Sequence, residues 1–128
     1  MRFFAELKNW ADAEKTCVDK GGHLATIGTQ VQNDWITKQA TTTVWHGATD
    51  QFSEGTWTDS TGQSELPFSN WHRGGPNGGT GKNCGSTGYG DPATCSYCGQ
   101  WNDGECRHEI QFVCGLGNGA PDGKEPLI

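Results

Sequence analysis

The residues of this chain best equipped for chemistry stand in two short stretches. Trp101-Asn102-Asp103 is followed closely by Cys106, and Gly75-Pro76-Asn77 leads towards Cys84. Two carboxamides and a carboxylate on polar turns, flanked by cysteines, suit a surface site built from loops and held by covalent bonds. Such groups can give oxygens to a hard cation or hydrogen-bond a polyol. Catalysis finds little support. Carboxylates such as Asp59 and Glu65 are not placed across a cleft, no serine occupies a nucleophile elbow, and no H-E-x-x-H motif occurs. The chain reads as a binding module and not an enzyme.

The rest of the chain must position that site. Its 128 residues fit one compact domain, and 20 glycines imply many turns. Six widely spaced cysteines favour disulfides in an oxidising, extracellular setting, so the expected localisation is secreted. A net charge of -6 with no Lys/Arg stripe argues against nucleic acid and against anionic membranes. No apolar run approaches the roughly 20 residues of a membrane span. Met1-Arg2-Phe3-Phe4 is too short for a signal peptide, so a leader, if the precursor has one, is absent from this chain. No Asn-x-Ser/Thr triplet offers an N-glycan site.

Along the chain, Ala11, Ala13, Glu14, Lys15 and Val18 predict a helix carrying Cys17, stopped at Gly21-Gly22. His23–Ile27 alternates as a half-buried strand does. A second helix is expected from Gln32 to Gln39 with Trp35 and Ile36 inward, and a short strand over Val44–Ala48. From about Thr49 to Asp91 turn residues outweigh any periodicity, and a loop this long inside a small domain is usually functional. Two more strands are expected near Gly99–Trp101 and Ile110–Cys114. The expected division is a domain over residues 1-115 and a flexible tail over 116-128.

Several of these segments together resemble the C-type lectin domain. Asn9-Trp10-Ala11-Asp12-Ala13-Glu14 with Cys17, then Gly22-His23-Leu24-Ala25-Thr26-Ile27, is similar to the family's start. Val44-Trp45-His46-Gly47-Ala48 is similar to its central Trp-Ile-Gly strand, with His46 in place of the usual apolar residue. Gly55-Thr56-Trp57-Thr58-Asp59, Phe68-Ser69-Asn70-Trp71, Trp101-Asn102-Asp103 and Phe112-Val113-Cys114 follow in family order, covering roughly residues 3 to 115. The resemblance implies an α+β C-type lectin fold: two helices, small antiparallel sheets and a long loop region stapled by disulfides.

It implies the pairs Cys17–Cys114 and Cys84–Cys106. Cys95 and Cys98 are additional; a local disulfide between them, a bridge to a second chain, and zinc binding with Cys106 and His108 are the readings left open. The resemblance also implies a sugar site at Asn77, Lys82, Asn102 and Asp103, with Arg73 beside the turn and Tyr97 as a stacking ring. Calcium-dependent members use glutamates or amides where this chain has Gly75 and Lys82. Asn77, Asn102 and Asp103, with Asp50 and Glu54 at a neighbouring position, remain as weak calcium ligands. Calcium wants six to eight oxygens, usually with several carboxylates, so no cofactor is required and calcium is weak or absent. Asp50 and Glu54 read first as a solvated loop face or cap. His72 points towards a ligand or is plain surface, and His23 and His108 read as structural or solvent-exposed.

The partners implied are glycans or glycoconjugates, as in innate defence, bound by a homodimer or higher oligomer. Two alternatives stand beside this: a non-sugar interaction protein binding protein or ice, and a calcium-dependent lectin whose ligands lie elsewhere in the loop.

Overall fold

The computed structural model describes residues 1–95 and 97–116. Eight regular elements alternate irregularly: β1 (Arg2–Lys8), α1 (Trp10–Asp19), β2 (Gly22–Leu24), α2 (Gln30–Gln39), β3 (Val44–Thr49), β4 (Cys84–Thr87), β5 (Trp101–Gly104) and β6 (Ile110–Leu116). A single turn of 3-10 helix, Gly79–Gly81, precedes β4.

Capping fixes where the helices start. The Asn9 side chain accepts from the Asp12 N–H at 2.8 Å, and that of Thr29 accepts from Gln32 N–H at 3.1 Å. Gln32 Oε1 reaches back to the Gly28 N–H at 2.8 Å, so α2 begins two residues before the expected Gln32. Helix α1 buries Trp10, Ala13 and Cys17, one stripe at helical spacing, and ends at Gly21, whose φ of 98° only glycine adopts readily.

One sheet runs β1-β6-β3-β4-β5, with β2 also pairing to β6. The strands expected as small antiparallel sheets are thus continuous, and the β3–β6 pair at the centre is parallel, with Val44 opposite Gln111 and Trp45 opposite Phe112. Strand β1 pairs antiparallel with β6, an element the sequence reading omitted. Its Arg2–Lys8 segment is half exposed and shows no clean alternation of apolar and polar residues.

Successive residues send side chains to opposite faces of the sheet, and the core divides accordingly. Trp45, Phe112 and Cys114 pack with Trp10, Ala13 and Cys17 of α1, while Val44, Val113 and Trp101 pack with Ile36 and Ala40 at α2. Trp35, expected inward, is half-buried against Phe3.

Cys17–Cys114 ties α1 to β6 and Cys84–Cys106 ties β4 to the segment after β5. Cys95 and Cys98 bond to each other, which decides among the three readings of that pair in favour of a local loop. Strand β6 runs to Leu116, where the flexible tail was expected to begin. The remainder of that expectation, residues 117–128, lies outside the described residues.

Candidate functional site

Strand β5 carries the Trp-Asn-Asp sequence, and its alternation sorts the three side chains. Trp101 is buried, Asn102 is exposed and Asp103 turns back beneath the preceding loop. Trp101 is anchored by its indole N–H to Asn33 Oδ1 at 2.7 Å and by edge-on contact with Trp71. The neighbouring Cys84–Cys106 bond and the Cys84–Gly104 register fix the other end of the strand.

Asp103 organises the loop above it. Its Oδ2 accepts the backbone N–H groups of Asn77 and Gly78, at 3.0 and 2.6 Å. The side chain is only 2% exposed, so these bonds replace most of its hydration. Its other oxygen lies 3.9 Å from His72 Nε2. His72 Nδ1 is 3.0 Å from the carbonyl of Arg73, within the 72–75 turn that ends in the Gly75 N–H to His72 carbonyl bond. The Gly75–Pro76 peptide that follows is cis.

Gly78 is a glycine of necessity at this site, and for a reason the sequence does not display: a Cβ there would collide with Lys82 Cβ. A Cβ on Gly75 would lie 2.6 Å from His72 Nε2, at the far end of a side chain that can turn aside. The imidazole and the lysine stem fill the space that side chains at 75 and 78 would need. Gly78 has φ of -90°, so the constraint there is packing and not backbone conformation.

Asn77, Lys82, Asn102 and Asp103 line one groove of about 460 Å³, together with His72, Ser86, Glu105 and His108 and with Trp45 and Ile110 at its base. Four of the expected sugar-site residues are therefore brought together. Arg73 and Tyr97 are exposed but do not line this groove; Arg73 sits in the 72–75 turn, and Tyr97, 71% exposed, sits in the Cys95–Cys98 loop. Sequence reasoning missed Glu105 and Ser86, and it took His108 as structural or merely exposed. No local signal marks them; they join the groove because β4, β5 and the segment after Cys106 converge there.

Asn77, Lys82 and Asp103 also border a second hollow of about 390 Å³, lined by Asp50, Glu54, Trp57, Pro76 and Gly79 among others. Of the pair expected as a solvated loop face or cap, Glu54 is exposed, while Asp50 is buried and accepts a loop N–H as a cap does. Its Oδ2 accepts from the Gly55 N–H at 2.9 Å, while Oδ1 has no hydrogen-bond partner. Asn83 Oδ1 is buried and unpartnered as well. Partial desolvation, and after it the neighbouring Asp50 carboxylate, hold the Glu54 carboxyl above its ordinary range.

The calcium implied by the resemblance can be tested against this donor set. On the Asp103 side, Gly75 and Gly78 supply no side-chain oxygen, Oδ2 already holds two N–H groups, and Lys82, a cation, lines both hollows. On the other side Asp50, Glu54 and Asn83 offer three oxygen-bearing side chains, two of them with an unpartnered buried oxygen. That falls well short of about six to eight oxygens. Among the described residues no group of three or more His, Cys, Asp or Glu is arranged to hold a metal ion. These residues do not fit a tightly held calcium ion.

Beneath the groove lies a buried titratable group. His46 packs its ring against Trp101, with centroids 4.4 Å apart, and is 1% exposed. Its Nδ1 accepts a long hydrogen bond from the Ala48 N–H at 3.4 Å, and Nε2 has no partner in bonding geometry. Burial lowers its pKa from 6.5 to about 3, and the Ser86 backbone facing the ring offsets this only in part.

Comparison with known proteins accords with this architecture. The chain is 33% identical over 119 residues to a perlucin-like protein of Mytilus galloprovincialis, covering 88% of this chain and 72% of that one. It spans 56–57% of the length of other curated relatives. Its fold superposes on the carbohydrate-recognition domain of mouse scavenger receptor C-type lectin with a TM-score of 0.76, at 32% identity, covering 88% of this chain and 83% of that one. A calcium-independent type II antifreeze protein matches with a TM-score of 0.76 at 25% identity, covering 88% and 81%. The family is generally non-enzymatic, and no helix among the described residues is long and apolar enough to cross a membrane. The family model described as "Lectin C-type domain" matches residues 6–116, and on that evidence the chain belongs to the C-type lectin domain family.

Proposed function

We propose that this domain binds carbohydrate through the groove bounded by Asn77, Lys82, Asn102 and Asp103, without calcium as an obligatory partner. The observation that carries the reading is the state of those side chains. The carboxamides of Asn77 and Asn102 and the ammonium of Lys82 make no hydrogen bond or ion pair among the described residues, although they border one concave surface. Free donors and acceptors around a groove suit a ring of hydroxyl groups. In this reading Lys82 supplies the positive charge beside Asp103 that calcium supplies in calcium-dependent members. Tyr97, exposed in the Cys95–Cys98 loop, adds a stacking surface outside the groove. One such site is weak, so useful avidity needs several, in a homodimer or higher oligomer, and the disulfide content fits a secreted protein acting on glycoconjugates, as in innate defence.

A glycan array run with calcium and with excess EDTA tests this. Binding that persists in EDTA and is lost on Lys82→Ala supports it. Binding abolished by EDTA points instead to a metal assembled from other loop oxygens. Absence of any binding in both conditions sinks the lectin reading. A second reading, a non-sugar surface contacting ice or protein, is favoured by the structural likeness to a calcium-independent antifreeze protein. Ice-growth inhibition by a chain that binds no glycan would select it.

A further inference from the structure

We infer that the groove takes an acidic saccharide, with a carboxylate or sulfate of the ligand held at Lys82. The inference rests on the carbohydrate reading and names the ligand class within it.

Charge distribution is the first observation. Residues 66–90 contain no Asp or Glu, yet hold Arg73, Lys82 and His72, in a chain whose net charge is -6. Of these, Lys82 and His72 line the groove, opposite the carboxylates of Asp103 and Glu105, while Arg73 stands outside it.

The groove's own carboxylates are the second observation, because both are already engaged. Asp103 Oδ2 holds two backbone N–H groups and its Oδ1 faces His72. Glu105 Oε1 pairs with Arg107 Nη2 at 2.8 Å and lies 4.0 Å from His108 Nε2. What remains unmatched is donor-rich: the Lys82 ammonium makes no ion pair among the described residues, and the carboxamides beside it are free.

Placement is the third. The Lys82 stem lies over Gly78, where any Cβ would collide with its Cβ, Cγ and Cδ, and the residue is exposed. A hydroxyl ring alone leaves the Lys82 charge uncompensated after desolvation. A carboxylate or sulfate compensates it with a charge-assisted hydrogen bond, while the sugar hydroxyls meet Asn77, Asn102 and Ser86.

The test uses the full chain in EDTA on an array of matched pairs: uronate oligosaccharides against their methyl esters, and sulfated oligosaccharides against their desulfated forms. The first pair isolates a carboxylate and the second a sulfate, with the hydroxyl pattern held constant. The expected result is binding to the charged member of at least one pair, weakened by raised salt. Lys82→Ala should reduce it about ten- to a hundredfold, the worth of one charge-assisted hydrogen bond, with unchanged thermal stability. Equal binding to both members of every pair, insensitive to salt and to Lys82→Ala, overturns the inference but leaves the carbohydrate reading standing. No binding to any member overturns both.

Discussion

Acidification should destabilise this domain through one side chain, His46. The folded protein holds it neutral with a pKa of about 3, against 6.5 when unfolded. Between those values the unfolded chain takes up a proton that the folded chain refuses, so folding stability falls as pH falls. The full contribution is present above about pH 6.5, declines by about 1.4 kcal/mol per pH unit below it, and levels off near pH 3. From pH 7.5 to 4.5 the loss from this residue is about 3 kcal/mol, a large share of a small domain's stability. His46→Leu removes the titration, keeps a side chain of similar branching against Trp101, and loses the long bond to the Ala48 N–H and the contact with the Ser86 backbone. Urea unfolding of both proteins at half-unit pH steps is the assay. Other carboxylates and histidines cancel in the difference between the two curves, which should change by about 3 kcal/mol over that range. Parallel curves, differing by a constant within about 0.5 kcal/mol, would refute the assignment of His46 as a buried neutral imidazole.

Three further outcomes are expected. Glu54→Gln should raise the melting temperature at pH 7, where two carboxylates face each other, and leave it unchanged at acid pH where Glu54 is already protonated, because its carboxyl is held above the ordinary range beside Asp50. Replacing Cys84 and Cys106 together by Ala should cost about 3 kcal/mol in urea unfolding, the chain-entropy value for a loop of about twenty residues. Asp103→Ala strands the N–H groups of Asn77 and Gly78 and should cost about 1–3 kcal/mol together with glycan binding, whereas Asp103→Asn keeps an acceptor and should retain more of both.

Much of the fold was legible in the sequence because its signals are local. The buried residues of α1 follow at helical spacing and Gly21 ends it, while α2 buries Ile36 within a mostly polar face of Gln32, Asn33 and Thr37. The strands expected over Val44–Ala48 and Ile110–Cys114 are present, whereas the alternating run His23–Ile27 contributes only to the short strand Gly22–Leu24. Strands β1 and β4 were not legible. The first carries no clean apolar alternation. The second, Cys-Gly-Ser-Thr, is built from turn-type residues and is a strand because β3 and β5 bond to it on either side. The parallel β3–β6 pair has no local signature either, since it joins segments more than 60 residues apart.

The site divides in the same way. Residue types alone drew attention to Asn77, Asn102 and Asp103, and the family resemblance added Lys82 and raised the question of how Gly75 and Lys82 could stand where other members of the family have oxygen ligands. Only the folded chain supplies an answer. His72 occupies the room beside Gly75, the Lys82 stem occupies the room beside Gly78, and Asp103 binds the loop's own amides. Glu105, Ser86 and His108 enter the groove by strand convergence, and Asp50 is buried by a loop folding over it. Helix caps and strand alternation depend on neighbours within a few residues, so they are written in the sequence. The shape and charge of the groove depend on atoms brought together from four distant segments, and tertiary packing alone decides which of them meet.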